Sequence, residues 1–406
     1  MKPKQRLVVI GNGMAGMRTI EELLSACPEQ YDITVFGAEP YGNYNRIMLS
    51  AVLAGDKTVE DIIINPREWY VEHKIKLHAG EKKAVARIER GFKKVIAIDG
   101  TTASYDRLLI ATGSKAIFPK VEGNQLKGVI SFRDIVDVNK MLEYSKTHKK
   151  AIVLGGGLLG LEAANGLALR GMDVTVVHRN EILLNRQLDK TAAKLLQFEL
   201  EQRGITFKMA AKLQKLMGNE DKHVVAAQFQ DGSELPCDLL IAAIGIEPNI
   251  SIAKEAGLYC ERGIVVNDTL QSYDPSIYAV GECIQHRGAT FGLVAPLFEQ
   301  AKVCANHLSS HGVAEYMTLP TATKLKVTGI QLFSVGDFLG DAESESVTFS
   351  DPALGIYKKL VLKANQLIGA VLYGDTTDGS WYQELLETKQ SVVEIRDQLI
   401  FGKSYI

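Results

Sequence analysis

Short aliphatic runs followed by glycine turns and amphipathic stretches characterise the first part of the chain. The continuous apolar run at residues 6–10 (RLVVI) predicts a buried strand. After the glycine turn, Met17, Ile20 and Leu24 recur at helical spacing and predict a helix that buries one face. The run at 32–36 (DITVF) predicts the next strand, so the chain opens with a βαβ unit.

The same succession returns in the middle of the chain. A second strand, glycine turn, helix and strand extend from Ala151 to the run DVTVV at 173–177. Each half also contains a later aliphatic strand that ends at a glycine turn, YDRLLIATGS at 105–114 and CDLLIAAIGIEPN at 237–249. This internal repeat predicts two copies of one arrangement, and a length of 406 residues suits two or three domains.

Beyond residue 320 the pattern changes. The segments KLKVTGIQLFSVGDF and YKKLVLKANQLIGAVLYG predict strands, and WYQELLETKQSV predicts a helix. We therefore expect a small α+β domain at the C-terminal end. Before it, a helix is predicted from Pro296 to about His307, because proline suits the first turn of a helix.

Composition and charge argue against several classes of partner. The 46 basic and 48 acidic residues leave a formal net charge of −2, which gives no electrostatic basis for binding nucleic acid or an anionic membrane. No apolar run approaches the roughly 18 residues of a membrane span, and the first one is too short for a signal peptide. We therefore expect a cytoplasmic protein; the sequence leaves its oligomeric state open.

The cysteine and histidine spacings predict neither a metal site nor a redox-active thiol pair. The five cysteines lie more than four residues apart, so CxxC, zinc and Fe–S patterns are absent, and none of the eight histidines lies in an HExxH pattern. Scattered cysteines of this kind typically pack as small hydrophobic residues.

Both glycine turns have the spacing GxGxxG between a strand and a helix, at Gly11, Gly13 and Gly16 and again at Gly155, Gly157 and Gly160. The first glycine permits the tight turn, the second lets a pyrophosphate approach the backbone, and the third lets helix and strand pack closely. The helix that follows offers free amide donors to the phosphates. Two copies in this context predict two bound dinucleotides.

A carboxylate at the end of the second strand commonly binds the adenosine ribose. After the first motif the nearest candidate is Glu39. After the second motif the position holds His178, followed by Arg179, with Arg186 nearby. This pattern removes the repulsion of a 2′-phosphate and offers a cation, so NADPH is allowed, whereas Glu181 could still serve NADH. The choice stays open.

Further motifs resemble those of the two-dinucleotide-binding-domain flavoprotein reductases. These are YDRLLIATGS, IYAVGEC, EPYGNYNRIMLSAVLAG, GLLGLEAANGLALRGMDVTVVH and IYAVGECIQHRGATFGLVAPLFEQA. They are most similar to the flavin module of assimilatory nitrite reductase large subunits and to the electron-transfer subunits of assimilatory nitrate reductases, which are themselves similar to rubredoxin and ferredoxin reductases. Such modules are often followed by Fe–S or siroheme segments, so the chain is either a free-standing reductase or part of a larger protein.

The resemblance implies FAD beside the first glycine turn and NAD(P)H beside the second. The implied FAD residues are Gly11, Gly13, Met14, Ala15, Gly16, Glu39, Arg46, Ala111, Thr112, Gly113, Gly281, Glu282, Pro296 and Leu297. The implied NAD(P)H residues are Gly155, Gly157, Leu158, Leu159, Gly160, Glu162, His178, Arg179, Arg186, Ile244 and Gly245. Glu162 would lie near the nicotinamide as the one candidate catalytic side chain, and the helix at Pro296 would stabilise the reduced flavin through its dipole.

Two positions depart from the family pattern. Glu282 stands where most members carry an aspartate that binds a ribityl hydroxyl, and the glutamate is one methylene longer. Ala51 stands where related ferredoxin reductases carry a lysine near the flavin. The implied fold is α/β, with two Rossmann-like dinucleotide-binding domains of the three-layer ββα type and the small α+β C-terminal domain. The predicted boundaries are 1–117 with 247–320 for the FAD domain, 118–246 for the NAD(P)H domain, and 321–406 for the C-terminal domain.

The resulting functional hypothesis is an FAD-dependent NAD(P)H:acceptor oxidoreductase in nitrate or nitrite assimilation. Because no redox thiol is predicted, electrons must leave the flavin directly for rubredoxin, ferredoxin, or an Fe–S, siroheme or molybdenum reductase. A general rubredoxin or ferredoxin reductase is the alternative among enzymes. A flavin- and nucleotide-binding sensor or interaction protein is the alternative from another class.

Overall fold

A computed structural model describes residues 4–318, 323–327 and 329–406 of the chain. The described strands, in chain order, are β1 Gln5–Ile10, β2 Tyr31–Gly37, β3 Asn43–Tyr44, β4 Ile63–Asn65, β5 Lys76–Ala79, β6 Val85–Glu89, β7 Lys94–Ala97, β8 Thr102–Ser104, β9 Arg107–Ile110, β10 Ser114–Ala116, β11 Val129–Ser131, β12 Lys150–Leu154, β13 Asp173–Val177, β14 Thr206–Lys208, β15 Leu213–Gly218, β16 Val224–Phe229, β17 Glu234–Pro236, β18 Leu239–Ala242, β19 Ile246–Pro248, β20 Ile264–Val266, β21 Ile277–Ala279, β22 Ile284–His286, β23 Thr323–Val327, β24 Ile330–Gly336, β25 Glu345–Asp351, β26 Ile356–Lys363 and β27 Gln366–Tyr373. The described helices are α1 Met14–Ala26, α2 Leu49–Ala54, α3 Arg67–Glu72, α4 Ile135–Thr147, α5 Leu158–Leu169, α6 Lys190–Gln202, α7 Ser251–Glu255, α8 Val294–Leu308 and α9 Gly379–Thr388.

The first of two compact units contains the described residues of 4–49, 57–116 and 246–318. Its five-stranded parallel sheet has the order β21-β9-β1-β2-β5. Strand β1 lies at the centre, and Leu7, Val8 and Val9 are at most 1% exposed. The aliphatic run is continuous because a central parallel strand is buried on both faces. The antiparallel strands β6-β7-β8 contribute Ile88 and Val95 to the same core.

The second unit contains residues 50–56 and 117–245 together with the described C-terminal residues. Its parallel sheet has the order β11-β18-β12-β13-β14, in which β12, β13 and β18 correspond to β1, β2 and β9 of the first unit. An antiparallel meander, β15-β16-β17, again joins the core through Leu216 and Phe229. The predicted pair of Rossmann-like units is therefore confirmed.

The C-terminal residues form an antiparallel sheet of order β23-β24-β27-β26-β25. Helix α9 packs on it, with Tyr382 fully buried against a core that includes Phe333, Leu360 and Leu372. The predicted α+β character of this region is confirmed. The predicted domain boundaries stay a prediction, and the one between residues 320 and 321 lies outside the described residues.

Helix α8 begins at Val294 rather than at the predicted Pro296, so the proline occupies the third helical position. The sequence signal is ambiguous here because the first four amides of any helix lack an intrahelical acceptor, and proline is compatible with the whole first turn. Among the described residues, none of the helices is both long and apolar enough to cross a membrane.

Candidate functional site

The first glycine turn is shaped by backbone contacts that leave no room for side chains. Gly11 has a φ of +114°, and a Cβ there would lie 2.1 Å from the carbonyl oxygen of Ala111. A Cβ on Gly16 would lie 2.9 Å from the carbonyl oxygen of Gly11. At Gly13, by contrast, an added Cβ would meet no protein atom within 4 Å. The glycines at positions 11 and 16 therefore serve packing, whereas Gly13 leaves space open beside the start of α1.

The second turn repeats this arrangement. Gly155 has a φ of +125°, and its Cβ would lie 2.2 Å from the carbonyl oxygen of Ala243. A Cβ on Gly160 would lie 2.0 Å from the carbonyl oxygen of Gly155, and one on Gly157 would meet nothing within 4 Å. Each turn thus forms a cradle whose open side faces the middle glycine. This open space is where the GxGxxG pattern predicts a phosphate, because the middle glycine has no Cβ to occupy it.

The helix that follows each cradle has amides available for an anion. Gly13 and Gly157 are the N-caps of α1 and α5, neither cap has a side-chain hydrogen bond, and neither first turn contains an acidic residue. Unsatisfied amides and the positive end of the helix dipole favour phosphate at this position. The predicted neighbours lie in these first turns: Met14, Ala15, Leu158 and Leu159.

The predicted Glu39 and Arg46 contact each other near the end of β2. One carboxylate oxygen of Glu39 is 2.7 Å from Nη2 of Arg46, and the other accepts a hydrogen bond of 2.6 Å from the Tyr44 hydroxyl. The Arg46 guanidinium also lies 5.0 Å from the centroid of the Tyr44 ring. The pair fixes the carboxylate after β2, where an adenosine ribose is expected. Sequence reasoning missed Tyr44, although its position two residues before Arg46 is a usable signal.

A buried polar network supports this loop and was also missed. The Tyr70 hydroxyl donates to Oδ1 of Asn12 at 2.7 Å and accepts from the amide of Asn43 at 3.1 Å. Nδ2 of Asn43 donates to Oδ1 of Asn65 at 2.8 Å. Tyr70 is 1% exposed, and burial raises its pKa to about 12. The network therefore ties the glycine turn, through Asn12, to the loop that follows β2.

The remaining predicted FAD residues lie around the ends of β9 and β21. Ala111 closely approaches Gly11, as described, and its Cβ would lie 3.0 Å from a Cβ on Gly16; Thr112 and Gly113 follow it. Gly281 has a φ of +93°, and its amide donates at 2.8 Å to Oε1 of Gln300 on α8, which is fully buried. Pro296 and Leu297 lie in the first turn of the same helix.

Glu282, which replaces the family's aspartate, accepts a hydrogen bond of 2.8 Å from the hydroxyl of Ser114. Ser114 and Gln300 were not predicted, because each meets its partner only through long-range packing. Both fix groups in the Gly281–Glu282 turn: Gln300 accepts from the Gly281 amide, and Ser114 donates to the carboxylate at the end of the longer Glu282 side chain.

In the second unit, His178 supports the glycine turn directly. Its Nδ1 accepts a hydrogen bond of 3.0 Å from the amide of Gly156, and burial followed by the charge of Arg179 lowers its pKa. An imidazole that accepts at Nδ1 is neutral there. Arg179 and Arg186, the two cations that the sequence offers after the second strand of this unit, are both exposed. Ile244 and Gly245 follow Ala243, the residue that contacts the glycine turn, and Ile244 is 42% exposed.

Glu162 lies in α5, two residues beyond the last glycine of the second motif. Burial raises its pKa to about 7, and a hydrogen bond from the Ser50 hydroxyl opposes that rise. The carboxyl group is thus close to its midpoint of ionisation near neutral pH. Sequence reasoning singled out Glu162 but missed Ser50, which lies 112 positions earlier and reaches α5 only in the folded unit.

The cysteines, all of which lie in the described residues, are unpaired. Cys283, which follows Glu282, is fully buried; its thiol donates to the carbonyl of Val280, and burial raises its pKa to about 11. A thiol with that pKa is not a nucleophile at neutral pH. Among the residues that the structure describes, no group of three or more metal-ligating side chains is present.

Comparison with known proteins gives one family for most of the chain. Residues 5–307 match the model described as pyridine nucleotide-disulphide oxidoreductase, and residues 321–390 match the rubredoxin NAD+ reductase C-terminal domain. A nitrite reductase [NAD(P)H] of Bacillus subtilis is 46% identical over 96% of this chain and 48% of its own length. An assimilatory nitrate reductase electron transfer subunit of the same species is 43% identical over 99% of this chain and 51% of its own length.

The chain therefore spans about half the length of these curated relatives. A ferredoxin reductase structure from Rhodopseudomonas palustris superposes with a TM-score of 0.87, at 24% identity, over 99% of this chain and 98% of that one, which supports the fold. The resemblance that the sequence motifs indicated is confirmed. The chain belongs to the pyridine nucleotide-disulphide oxidoreductase family, whose members are FAD- and NAD(P)H-dependent oxidoreductases.

Proposed function

We propose that the chain is the flavin module of an NAD(P)H:acceptor oxidoreductase in nitrate or nitrite assimilation. The observation that carries the proposal is the repeated cradle, in which Gly13 and Gly157 each leave the same space open beside a helix N-terminus. Two cradles in one chain suit two dinucleotides. Bound FAD would accept a hydride from NAD(P)H and release electrons singly.

The residues around each cradle would bind and orient the two groups. In the first unit, the amides at the start of α1 would hold the FAD pyrophosphate, and Glu39, fixed by Arg46 and Tyr44, would accept from ribose hydroxyls. Glu282, held by Ser114, would accept from a ribityl hydroxyl. In the second unit, the amides at the start of α5 would hold the NAD(P)H pyrophosphate, with Arg179 exposed at the adenosine end.

The state of the cysteines supports an external acceptor. Cys283 is buried, and burial raises its pKa to about 11, so its thiol is protonated at neutral pH. None of the five cysteines has a disulfide partner, so no disulfide among them can accept electrons from the flavin. We infer that they pass to another protein or domain. The names of the relatives, a nitrite reductase and an assimilatory nitrate reductase electron transfer subunit, favour an acceptor in nitrogen assimilation, which we propose to be an Fe–S, siroheme or molybdenum reductase. The C-terminal match favours rubredoxin as the alternative, and ferredoxin is a second carrier of the same kind.

Anaerobic stopped-flow mixing with NADH and with NADPH tests the proposal. The FAD-loaded protein should lose its visible flavin absorbance rapidly with at least one nucleotide, and an added one-electron acceptor should restore it. Protein that takes up no FAD would contradict the cofactor assignment. A reduced flavin that no one-electron acceptor reoxidises would favour the sensor alternative instead.

A further inference from the structure

Helix α2 is attached to α5 through three contacts that follow a single stripe of the longer helix. Glu162, Gly166 and Arg170, the C-cap residue of α5, are spaced four residues apart, so they follow one face of the helix to its end. At one end the Ser50 hydroxyl donates to the Glu162 carboxylate. In the middle, a Cβ on Gly166 would lie 2.7 Å from Cγ of Leu53, which shows how closely the two helices approach.

At the other end of the stripe, Arg170 terminates α2. Its Nε donates at 2.7 Å to the carbonyl oxygen of Leu53, and its Nη2 donates at 3.2 Å to that of Val52. These carbonyls belong to the last turn of α2, where the carbonyl of Val52 also accepts from the amide of Gly55 at 3.2 Å and Arg170 supplies side-chain donors to both. The register between the helices is thus fixed at both ends, and the position of Ser50 follows from it.

The Glu162 carboxyl depends on this placement for its hydrogen bond. The sequence of α2, LSAVLA, contains no charged residue that could form an ion pair with it. A half-buried carboxyl without a donor is costly, so a hydroxyl at this point matters. Side chains of an α-helix lean toward its N-terminus, so Glu162 lies over the first turn of α5, beside the second cradle.

We propose that Ser50 is a positioning residue, which holds the Glu162 carboxyl in place for the nicotinamide end of NAD(P)H. The inference rests on the proposed function, since it assigns a role toward a nucleotide in the second cradle. The phosphates and adenosine of NAD(P)H would provide most of its binding free energy, whereas the Glu162 carboxyl would affect the orientation of the nicotinamide ring. Loss of the Ser50 hydroxyl should therefore lower the rate of flavin reduction more than the affinity for nucleotide.

The kinetic test compares Ser50→Ala, Ser50→Thr, Glu162→Gln and the double variant Ser50→Ala/Glu162→Gln by stopped-flow flavin reduction. Ser50→Ala should lower the limiting rate by roughly 10- to 100-fold, the size of one hydrogen bond to a charged group, with an unchanged half-saturating concentration. Ser50→Thr retains a hydroxyl and should restore the rate. In the Glu162→Gln background, removal of the Ser50 hydroxyl should cost much less than in wild type, because the two residues act as a pair.

A spectroscopic measurement tests the contact without turnover. Infrared spectra of the oxidised, nucleotide-free holoenzyme should contain a carboxyl band that Glu162→Gln abolishes, that Ser50→Ala shifts and that Ser50→Thr returns. Ser145→Ala is the matched control, because Ser145 is also a helical serine of this unit and its hydroxyl donates at 2.9 Å to the backbone of Leu142. It should change neither the band nor the rate.

The outcomes separate the two proposals. A wild-type flavin that neither NADH nor NADPH reduces would contradict the proposed function. A wild-type flavin that is reduced, with Ser50→Ala equal to wild type in rate and in infrared band, would overturn only the role of Ser50. An Ser50→Ala defect of the same size in both backgrounds, or one that threonine does not restore, would also overturn it, because that result marks general destabilisation of α2.

Discussion

We expect Gly13→Ala to weaken FAD binding while the folded protein keeps its stability. The added Cβ would meet no protein atom within 4 Å, and the φ and ψ of Gly13, −91° and 179°, are accessible to alanine. Alanine is a poorer N-cap than glycine, but it also lowers the entropy of the unfolded chain, so the net change in unfolding free energy should stay below about 1 kcal/mol.

The effect on FAD follows from the space that the methyl group fills. Forcing an extra methyl into a close contact costs about 1–3 kcal/mol, which corresponds to roughly 5- to 140-fold weaker binding. Titration of the apoprotein with FAD, followed by flavin fluorescence, measures this change. Thermal unfolding of the apoprotein measures the stability separately.

The repeat supplies the matched variant. Gly157→Ala adds a Cβ in equally open space, so it should leave FAD binding unchanged and raise the half-saturating concentration of NAD(P)H by a similar factor. Gly91→Ala, also in open space but in a surface turn remote in sequence from both motifs, should affect neither. Gly16→Ala should destabilise even the apoprotein, because its Cβ would lie 2.9 Å from a backbone oxygen. Wild-type FAD affinity in Gly13→Ala would refute the assignment of the first cradle to the pyrophosphate.

Three further predictions concern stability and the thiols. Tyr357→Phe should lower the free energy of unfolding in urea by about 1–3 kcal/mol, because the buried Asp189 carboxylate loses a hydrogen bond of 2.6 Å; no loss would show that water replaces the hydroxyl. In the Cys283→Ala variant, NAD(P)H should reduce the flavin at the wild-type rate in stopped flow, because the buried thiol is protonated. A much slower reduction would reveal a redox role for the thiol. The hydrogen bond from Lys358 lowers the folded-state pKa of Asp375 to about 2. The ionised Asp375 should therefore stabilise the folded state fully above its unfolded pKa of about 3.9, and this stabilisation should be lost as the pH falls through 2. Asp375→Asn should flatten that part of an acid unfolding curve, and an unchanged curve would contradict the assignment.

The sequence predicted the parts of the site that are encoded locally. A glycine turn, its flanking strand and its helix lie within about 30 residues, so spacing and periodicity suffice to identify Gly11, Gly13 and Gly16 and their counterparts. The prediction of Glu39 as a ribose ligand uses the same local spacing, because the end of β2 is a fixed distance from the turn, and it stays a prediction. The start of α8 was misplaced by two residues because proline marks the first helical turn without specifying a position in it.

The missed residues act through contacts that no local pattern encodes. Ser50 donates to Glu162 only because Gly166 and Arg170 hold α2 against α5. Tyr70 reaches Asn12 across 58 positions of sequence. In each case the donor and acceptor are ordinary polar residues at unremarkable spacings, and burial alone makes their hydrogen bonds important.

The two cradles have the same backbone conformation and glycine contacts, so the backbone alone cannot explain why they would bind different dinucleotides. Ala111 and Ala243 contact the glycines in the same way, and the open sides at Gly13 and Gly157 are alike. The difference lies in the residues after the second strand of each unit. After β2 an acidic side chain is fixed by a guanidinium and a phenol, whereas after β13 a neutral imidazole binds the turn itself and leaves Arg179 exposed. In the proposed function, recognition of a pyrophosphate would therefore belong to the duplicated backbone turn, and discrimination between nucleotides would belong to the side chains that follow the second strand of each unit.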